Sequence, residues 1–240
     1  MKVAIIGYGR MGHEIESIAL KRGHEISKIF DEHNQNEFTP QELMDSDVAI
    51  EFTVPLSAYS NIMQCFKANI PVVSGTTGWL SDFDKIEKEC LTNNQTFFYA
   101  PNYSLGVNVF FNLNKYLAKW MNKLHDYNVT MEEIHHIQKK DSPSGTAIAL
   151  ADDLIEIHEN KNKWVVDPSE IINVDEIPII SHREDQVPGT HKIHWESEED
   201  SIEIVHTAKN RKGFALGAVL AAEFIVDKKG VYNMGDLLGS

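Results

Sequence analysis

The sequence predicts an α/β fold: an N-terminal parallel sheet completed by a C-terminal helix, and a second, α+β domain with a mixed sheet. Three observations lead to this prediction. Strand-like and helix-like runs alternate as far as Asn102, the pattern becomes richer in strands after it, and a late apolar helix resembles the first part again. We therefore predict one domain from residues 1–103 and 213–240, and another from residues 104–212.

Five short apolar runs in the first domain have the composition of strands buried on both faces of a parallel sheet. They are KVAIIG, HEISKIFD, DVAIEFT, IPVVSGTTG and TFFYAPN. Helical spacing follows the first run in RMGHEIESIALKRG. Further helices are predicted over 56–69 and 81–93, the second opened by a capping box of Ser81 and Asp84.

The second domain opens with one long amphipathic helix, NVFFNLNKYLAKWMNKL, followed by the strand NVTMEEIHH. Another helix is expected to start near Ser144, and residues 170–207 favour strands, including HKIHWES and SIEIVHTA joined by an acidic turn. The chain closes with the apolar helix GFALGAVLAAEFIVDKKG and the short tail VYNMGDLL. We expect this last helix to cover the first sheet.

Bulk composition excludes several classes of protein. The net charge of −14 argues against nucleic acid as a partner, because a phosphate backbone is bound by clustered Lys and Arg. No run is long and apolar enough to predict a membrane span or a signal peptide. The two cysteines, Cys65 and Cys90, fit no paired motif and are expected to be reduced and buried, so we expect a cytoplasmic protein.

The loop GYGRMG places Gly7, Gly9 and Gly12 in G-x-G-x-x-G spacing, directly after a strand and at the start of a helix. This context predicts a Rossmann-type dinucleotide site, which also includes Tyr8, Arg10 and Met11 from the same loop. Asp31 ends the second predicted strand, where a carboxylate binds an adenosine ribose and repels a 2′-phosphate. We therefore predict that NADH is preferred and that NADPH remains usable.

Two further turns are expected at the same edge of the sheet, because the carboxyl ends of parallel strands line the ligand crevice. One is SGTTG, in which small residues allow a nicotinamide ring to approach the backbone. The other is the segment APNY. The cofactor-site candidates from these turns are Gly75, Thr76, Thr77, Ala100, Pro101, Asn102 and Tyr103.

The segment EIHHIQKKDSPSGTA concentrates ionisable groups ahead of a probable helix start. His135 can exchange protons near neutral pH, and Lys139 provides a positive charge. Ser144, Gly145 and Thr146 offer N–H groups and hydroxyls to an anion. This combination suits an anionic substrate that is reduced by hydride and then protonated.

The same residues also allow purely structural interpretations. His135 and His136 cannot both face the same side of a strand, so at least one can be structural, and Ser144 can serve only as a helix cap. A zinc site would draw on histidines 135, 136, 191, 194 and 206, but no HExxH or thiolate pairing supports it. We predict no metal.

The long motif resembles the signature of the dihydrodipicolinate reductase (4-hydroxy-tetrahydrodipicolinate reductase) family of diaminopimelate and lysine biosynthesis. GYGRMG, SGTTG, APNYSLGVN, PGTHKIHW, IEIVHTAKNRKGFALGAV and YNMGDLL extend the resemblance over almost the whole chain. The resemblance implies reduction of a dicarboxylate ring imine by NAD(P)H, with His135 as proton donor and Lys139 assisting and holding the substrate. It also implies substrate contacts from His136, Ser144, Gly145, Thr146 and Arg211, and a homotetramer.

Two other functions fit part of the pattern. An aspartate-dehydrogenase-like reductase would share the hydride chemistry, but it would not require Lys139 followed by the Ser-Gly-Thr turn. A non-catalytic NAD-sensing regulator could lose His135 or Lys139, and both residues are present.

Overall fold

Two units divide the chain, and the first is assembled from both of its ends. It comprises Met1–Asn108 and Arg211–Ser240, and the second unit comprises Val109–Asn210. The computed structural model describes residues 1–168 and 173–239. The first residues of the predicted strand-rich block 170–207 therefore lie outside the described residues.

The secondary structure follows the alternation expected from the sequence. The strands are β1 (Lys2–Ile6), β2 (Glu25–Phe30), β3 (Val48–Glu51), β4 (Val72–Ser74), β5 (Thr96–Tyr99), β6 (Asn128–His135), β7 (Lys163–Val166), β8 (Glu176–Arg183), β9 (Gly189–Glu196), β10 (Ser201–Ala208) and β11 (Gly230–Tyr232). The α-helices are α1 (Arg10–Lys21), α2 (Pro40–Leu43), α3 (Pro55–Lys67), α4 (Phe83–Thr92), α5 (Leu105–Met121), α6 (Gly145–Ile157), α7 (Lys212–Ile225) and α8 (Met234–Leu238).

The first unit contains a six-stranded parallel sheet in the order β11-β5-β4-β3-β1-β2. Alternate residues of each strand point to opposite faces. Val3 and Ile5 pack with α1 and α7, whereas Ala4 and Ile6 pack with α2, α3 and α4. Both faces of the sheet are thus covered, and the prediction that the late apolar helix completes this sheet is confirmed.

Helix α7 lies very close to the segment after β5. A Cβ on Gly217 would lie 1.8 Å from the carbonyl oxygen of Tyr103, so only glycine permits this approach. The apolar residues of α7, from Ala215 to Ile225, pack in the same core as β1 and β3.

The second unit contains a five-stranded sheet in the order β10-β9-β6-β8-β7. Strand β9 runs antiparallel to β6 and β10, whereas β6, β8 and β7 are parallel to one another. The predicted mixed sheet is therefore confirmed. Helix α6 and the part of α5 from Phe110 onward pack against a single face of it, with Trp195 among the fully buried side chains.

The start of α4 differs from the prediction. No Ser81–Asp84 capping box forms, because a 3-10 turn spans Leu80–Asp82 and α4 begins at Phe83 without a side-chain cap. Tertiary packing sets this boundary. The buried Trp79 donates its indole N–H to the carbonyl oxygen of Thr76 (2.7 Å), and its ring contacts that of Phe83.

The C-terminal tail is more ordered than the sequence predicts. Gly230–Tyr232 forms β11, which pairs with β5, and α8 follows with a capping box of Asn233 and Asp236. Strand β7 and helix α2 are also additional to the predicted elements. Each contains four residues, too few for periodicity to reveal.

Within residues 1–168 and 173–239, no helix combines the length and apolar character that crossing a bilayer would require.

Candidate active site

The N-terminal glycine loop gives a different role to each of its glycines. Gly7 has φ +95°, and a Cβ there would lie 2.1 Å from the carbonyl oxygen of Phe52. A Cβ on Gly12 would lie 2.4 Å from the carbonyl oxygen of Gly7. At Gly9 an added Cβ meets nothing within 4 Å. The fold therefore requires glycine at positions 7 and 12, whereas it leaves open space at position 9.

A cavity of about 500 Å³ lies beside this loop, at the carboxyl ends of β1, β2 and β3. Its wall includes the predicted residues Gly7, Tyr8, Gly9 and Asp31. The Asp31 carboxylate accepts the backbone N–H groups of His33 (2.8 Å) and Asn34 (3.3 Å), which fix its position at the wall. The loop residues Arg10 and Met11 do not line the cavity; Arg10 is exposed, and Met11 packs against the core.

The segment after β3 also belongs to this site, although it was not predicted from the sequence. Phe52, Thr53 and Val54 line the same cavity. The Phe52 ring also occupies the position beside Gly75, where a Cβ would lie 2.1 Å from it. The segment could have been predicted from the sequence, because DVAIEFT is a parallel strand whose carboxyl end lies at the same edge of the sheet as GYGRMG.

A buried carboxylate joins the ends of β3 and β4. Glu51 is fully buried and accepts hydrogen bonds from the hydroxyls of Thr53, Ser74 (2.6 Å) and Thr76 (2.8 Å). The Thr76 hydroxyl in turn accepts the backbone N–H of Thr53 (2.8 Å). The Thr76 hydroxyl is thus engaged in hydrogen bonds within the loop, whereas the neighbouring Thr77 is exposed.

The segment Ala100–Tyr103 follows β5 at the same edge of the sheet. Ala100 and Tyr103 are buried, and the Tyr103 hydroxyl donates to the carbonyl oxygen of Ser74 (2.7 Å). Pro101 is exposed, and Asn102 is half-buried with its Oδ1 accepting the backbone N–H of Ser104 (2.9 Å). The Tyr103 side chain therefore supports the loop from inside the core.

In the second unit, the mixed sheet brings polar residues together on its helix-covered face. Ser181, Glu133, His191 and His206 occupy directly opposed positions on four neighbouring strands. His135 lies two residues beyond Glu133 and therefore shares its face. Its ring centroid is 5.1 Å from that of His191.

His135 is 8% exposed, and its Nε2 lies 3.5 Å from Oε2 of Glu133. This distance permits an ion pair, but within the described residues Nε2 has no hydrogen-bond partner. Gly189 packs against the same ring, because a Cβ on this glycine would lie 2.8 Å from Cε1 of His135. The imidazole is therefore confined by its neighbours, and its Nε2 atom makes no hydrogen bond within the described residues.

Glu133 is the most highly connected residue of this cluster, and the sequence analysis did not identify it. Its carboxylate accepts the Ser144 backbone N–H (3.0 Å), the Ser181 hydroxyl (3.0 Å) and the Arg183 guanidinium (3.3 Å). Burial raises the pKa of Glu133, but interactions with His135, Ser144 and Ser181 together outweigh burial and hold the pKa well below its usual range. Glu133 is therefore ionised.

His191 is neutral at physiological pH. Burial disfavours its protonated form, and the nearby His135 adds a like charge, so its pKa falls to about 4. The unfolded chain takes up this proton near pH 6.5, before the folded chain does. The stability that depends on a neutral His191 is thus present above pH 6.5 and is lost as the pH falls toward 4.

We expect His191→Gln to flatten the pH dependence of stability between about pH 6.5 and 4, because glutamine has no proton to gain. The difference from the wild type should reach at most about 3 kcal/mol at the acid end of this window. Urea unfolding at a series of pH values measures it, with the more exposed His194→Gln as control. Parallel curves for wild type and His191→Gln would contradict the assignment.

The turn after β6 carries the candidate lysine. The Lys139 backbone N–H donates to the carbonyl oxygen of His136 (3.0 Å), and its ammonium binds both carboxylate oxygens of Asp141 (2.7 and 2.8 Å). This contact lowers the pKa of Asp141. Arg183 donates to the carbonyl oxygen of Asp141 (2.7 Å), so the turn is held from β8.

The predicted helix start is confirmed, and Ser144 serves as its cap. The Ser144 hydroxyl accepts the backbone N–H of Ala147 (3.2 Å), and Ser144 is 3% exposed. Gly145 is exposed with open space beside it, and Thr146 is half-buried. Of the three predicted anion-binding residues, Gly145 and Thr146 are therefore the accessible ones.

His136 and Arg211 are the two remaining candidates. His136 follows β6 and is half-buried, and its Nδ1 has no hydrogen-bond partner within the described ranges. Arg211 belongs to the first unit, where it is exposed and forms the N-cap of α7.

The structure brings together two of the five histidines considered for zinc. One atom each of Glu133, His135 and His191 lies within 4.8 Å of the others, which is a separation a metal could bridge. The guanidinium of Arg183, 3.3 Å from Glu133, already supplies positive charge there. We assign no metal to this cluster, and its absence stays a prediction.

The fold combines a Rossmann-type parallel sheet with a second unit built on a mixed sheet. It superposes on a dipicolinate-bound dihydrodipicolinate reductase from Paenisporosarcina sp. TG-14 with a TM-score of 0.80, 22% identity and 98% of each chain covered. A probable dehydrogenase from Thermotoga maritima gives a TM-score of 0.56 at 13% identity, with 99% of this chain and 92% of that one covered. At these identities the likeness concerns the fold alone.

Sequence comparison identifies the family. Residues 1–103 match the family described as dihydrodipicolinate reductase, N-terminus, and residues 106–238 match its C-terminus. The chain is 52% identical to 4-hydroxy-tetrahydrodipicolinate reductase of Christiangramia forsetii, covering 99% of this chain and 98% of the relative. It is 32% identical to the enzyme of that name from Archaeoglobus fulgidus, covering 99% and 100%.

The chain belongs to the dihydrodipicolinate reductase family. It is an oxidoreductase of diaminopimelate and lysine biosynthesis that uses a nicotinamide cofactor and a small substrate. The enzyme class predicted from the sequence, 4-hydroxy-tetrahydrodipicolinate reductase, is thereby confirmed.

Proposed function

We propose that His135 and Lys139 carry the reduction of 4-hydroxy-tetrahydrodipicolinate to tetrahydrodipicolinate in this chain. In this assignment the first unit binds the nicotinamide cofactor and the second binds the dicarboxylate. The observation that carries the proposal is the confined imidazole of His135, whose Nε2 lies 3.5 Å from the carboxylate of Glu133. A carboxylate at this distance can orient an imidazole that donates a proton to the substrate.

The open space at Gly9 and the cavity beside it fit a dinucleotide. The loop Gly7–Gly12 and the N-terminus of α1 would hold its phosphates, and Asp31 would hold the adenosine ribose. Gly75–Thr77 and Ala100–Tyr103 would complete the site, mainly through backbone atoms and the accessible Thr77, Pro101 and Asn102. When bound, the reduced cofactor supplies hydride.

The residues of the second unit account for the other half of the chemistry. Loss of the hydroxyl together with a ring proton, as water, leaves a conjugated ring imine. Hydride addition to this imine gives an enamine, which requires one proton. His135 donates this proton to carbon and becomes neutral imidazole. The Lys139 ammonium exchanges Asp141 for a substrate carboxylate, while the start of α6 at Gly145 and Thr146 binds the other. His136 and Ser144 support this region, and Arg211 is a further candidate for a carboxylate contact.

The direct test is a substrate comparison. The purified chain is given NADH and the product that the preceding synthase forms from aspartate semialdehyde and pyruvate, and loss of NADH absorbance is followed. A matched reaction contains oxaloacetate and ammonia, the substrates of an aspartate dehydrogenase. We expect turnover only with the synthase product. Turnover restricted to oxaloacetate and ammonia would contradict the proposal.

We propose that NADH is preferred over NADPH because of Asp31. Its carboxylate is fixed by the amides of His33 and Asn34, so it cannot turn away from a 2′-phosphate. Asp31→Asn keeps an acceptor for these amides but removes the charge. We expect this variant to lower the NADH/NADPH ratio of kcat/KM by about 10-fold or more, the effect of one hydrogen bond to a charged group.

The control for this prediction is Glu37→Gln, an acidic residue of the same connection that does not line the cavity. Its ratio should equal that of the wild type. A wild-type ratio that favours NADPH would refute the preference outright.

We also propose self-association, with a homotetramer as the expected form. Helices α5 and α6 cover only one face of the mixed sheet. The other face carries Ile180 and Val205, which are 42% and 48% exposed, beside the ion pair of Glu132 and Lys192. A face of this kind suits contact with a second sheet. Light scattering after gel filtration gives the mass, and a monomer would contradict the proposal.

Nucleic acid is not proposed as a partner, since the net charge of −14 opposes it. We infer a cytoplasmic site of action, where reduced nicotinamide is generated for biosynthesis.

A further inference from the structure

We propose that Glu133 is a positioning residue that holds the proton donor and the start of the substrate-binding helix in register. The inference rests on the proposed role of His135. It goes beyond that role because it assigns the positioning of the proton donor and of the helix start to Glu133, a residue to which no substrate contact is assigned. Glu133 is fully buried, and its two oxygens are occupied by protein groups.

Glu133 connects several segments of the second unit. One carboxylate meets three separate segments of the second unit: His135 on β6, Ser181 and Arg183 on β8, and the backbone N–H of Ser144 before α6. These contacts exist because β6 and β8 are in register, with Glu133 opposite Ser181 and His135 opposite Arg183. Movement of this carboxylate would move the donor and the helix start together.

Arg183 extends the same network to the turn that carries Lys139. Its guanidinium bonds Glu133 at 3.3 Å and the carbonyl oxygen of Asp141 at 2.7 Å. Asp141 is in turn the partner of the Lys139 ammonium. Glu133 therefore links the proposed donor, the proposed cation and the proposed anion cradle through half-buried Arg183 and Lys139 and exposed Asp141.

Several ionisable groups surround Glu133: His135, His191, His206, Arg183, Lys139 and Asp141. Burial and the neighbouring His135 lower the pKa of His191 to about 4, so His191 is neutral. The ionised carboxylate of Glu133 lies 3.5 Å from Nε2 of His135, where its charge attracts a ring N–H group and orients the imidazole.

The test uses Glu133→Gln, which keeps the shape of the side chain and removes its charge. We expect kcat to fall about 10- to 100-fold, the loss of one hydrogen bond to a charged group. We also expect the pH profile of kcat to shift, because a negative charge 3.5 Å from Nε2 of His135 is removed. The dissociation constant of NADH, which the first unit is proposed to bind, should not change.

The matched control is Glu132→Gln, the adjacent residue of β6. Its side chain is on the opposite face, where it pairs with Lys192 and His182, and it carries the same charge. Its kcat and pH profile should equal those of the wild type when light scattering gives both proteins the same mass, since Glu132 lies on the face proposed for self-association. A merely structural role of Glu133 would lower the amount of folded enzyme but would not move the pH profile of the folded fraction.

A second variant covers the case in which Glu133→Gln does not fold. Ser181→Ala removes one hydrogen bond from Oε1 of Glu133 and leaves the charge in place. We expect it to lower kcat about 3- to 10-fold, the net contribution of a typical hydrogen bond, because the carboxylate keeps its charge and its other partners. NADH binding should not change. If Glu133→Gln is unfolded, the decision rests on this variant alone.

The two proposals can fail separately. If the wild type turns over and His135→Ala does not, yet Glu133→Gln and Ser181→Ala match Glu132→Gln in kcat and pH profile, the positioning role is overturned. If His135→Ala retains wild-type kcat, the role of His135 fails first, whatever the Glu133 variants do.

Discussion

Replacing His135 by alanine is expected to lower kcat by about 10²- to 10⁴-fold, the contribution of a positioned general acid. The NADH dissociation constant should stay that of the wild type, because every residue assigned to the cofactor belongs to the first unit. The physical reason for the lower kcat is the loss of the proton donor. Without the imidazole, the enamine formed by hydride addition has no confined donor next to an ionised carboxylate. Steady-state kinetics and fluorescence titration with NADH measure the two quantities.

Lys139→Ala is expected to act on the same step with a different signature. Loss of the ammonium removes a carboxylate partner, so KM for the substrate should rise as kcat falls. His182→Ala serves as the control for both variants, since this exposed histidine lies on the other face of the sheet. Variants at 135 and 139 that lose NADH binding but keep kcat would contradict the assignment.

Gly12→Ala is expected to lower the stability of the fold, whereas Gly9→Ala is expected to weaken cofactor binding. At Gly12 a methyl group would lie 2.4 Å from the carbonyl oxygen of Gly7. We expect this variant to lose about 1–3 kcal/mol of stability or more, because backbone atoms must move. At Gly9 the methyl group meets no protein atom within 4 Å. We expect Gly9→Ala to retain the wild-type Tm but to bind NADH about 10-fold more weakly or worse.

Thermal unfolding without cofactor and titration with NADH provide the two measurements. Gly213→Ala is the control for both, since an added Cβ there meets only the Ser104 hydroxyl, at 4.0 Å. Unchanged NADH affinity in Gly9→Ala would show that the pyrophosphate does not approach this position. A wild-type Tm in Gly12→Ala would contradict the packing described for the loop.

The alternation of strands and helices predicted the first sheet because each buried strand is a short apolar run bounded by turns. The same reasoning could not predict β11, whose three residues gain their conformation by pairing with β5 far away in sequence. The start of α4 was placed wrongly for a related reason. Packing of Trp79 and Phe83 outweighs the local capping preference of Ser81.

For the candidate site, the sequence pointed to residues whose chemistry is visible locally, such as His135 and Lys139. It did not reveal Glu133 or Arg183, because their importance depends on the register between β6 and β8. A strand period of two would have placed Glu133 on the face of His135, but acidic residues at such positions are usually solvated. Only the structure shows that Glu133 is fully buried.

The central claim is that this chain transfers hydride from nicotinamide to the substrate ring, with the proton supplied separately. Mass spectrometry of the product formed with NADH deuterated at both C4 positions tests it most directly. The account predicts a product that carries one deuterium on a ring carbon, formed far more slowly by His135→Ala but with the same label. An unlabelled product, formed while the deuterated cofactor is oxidised, would contradict it.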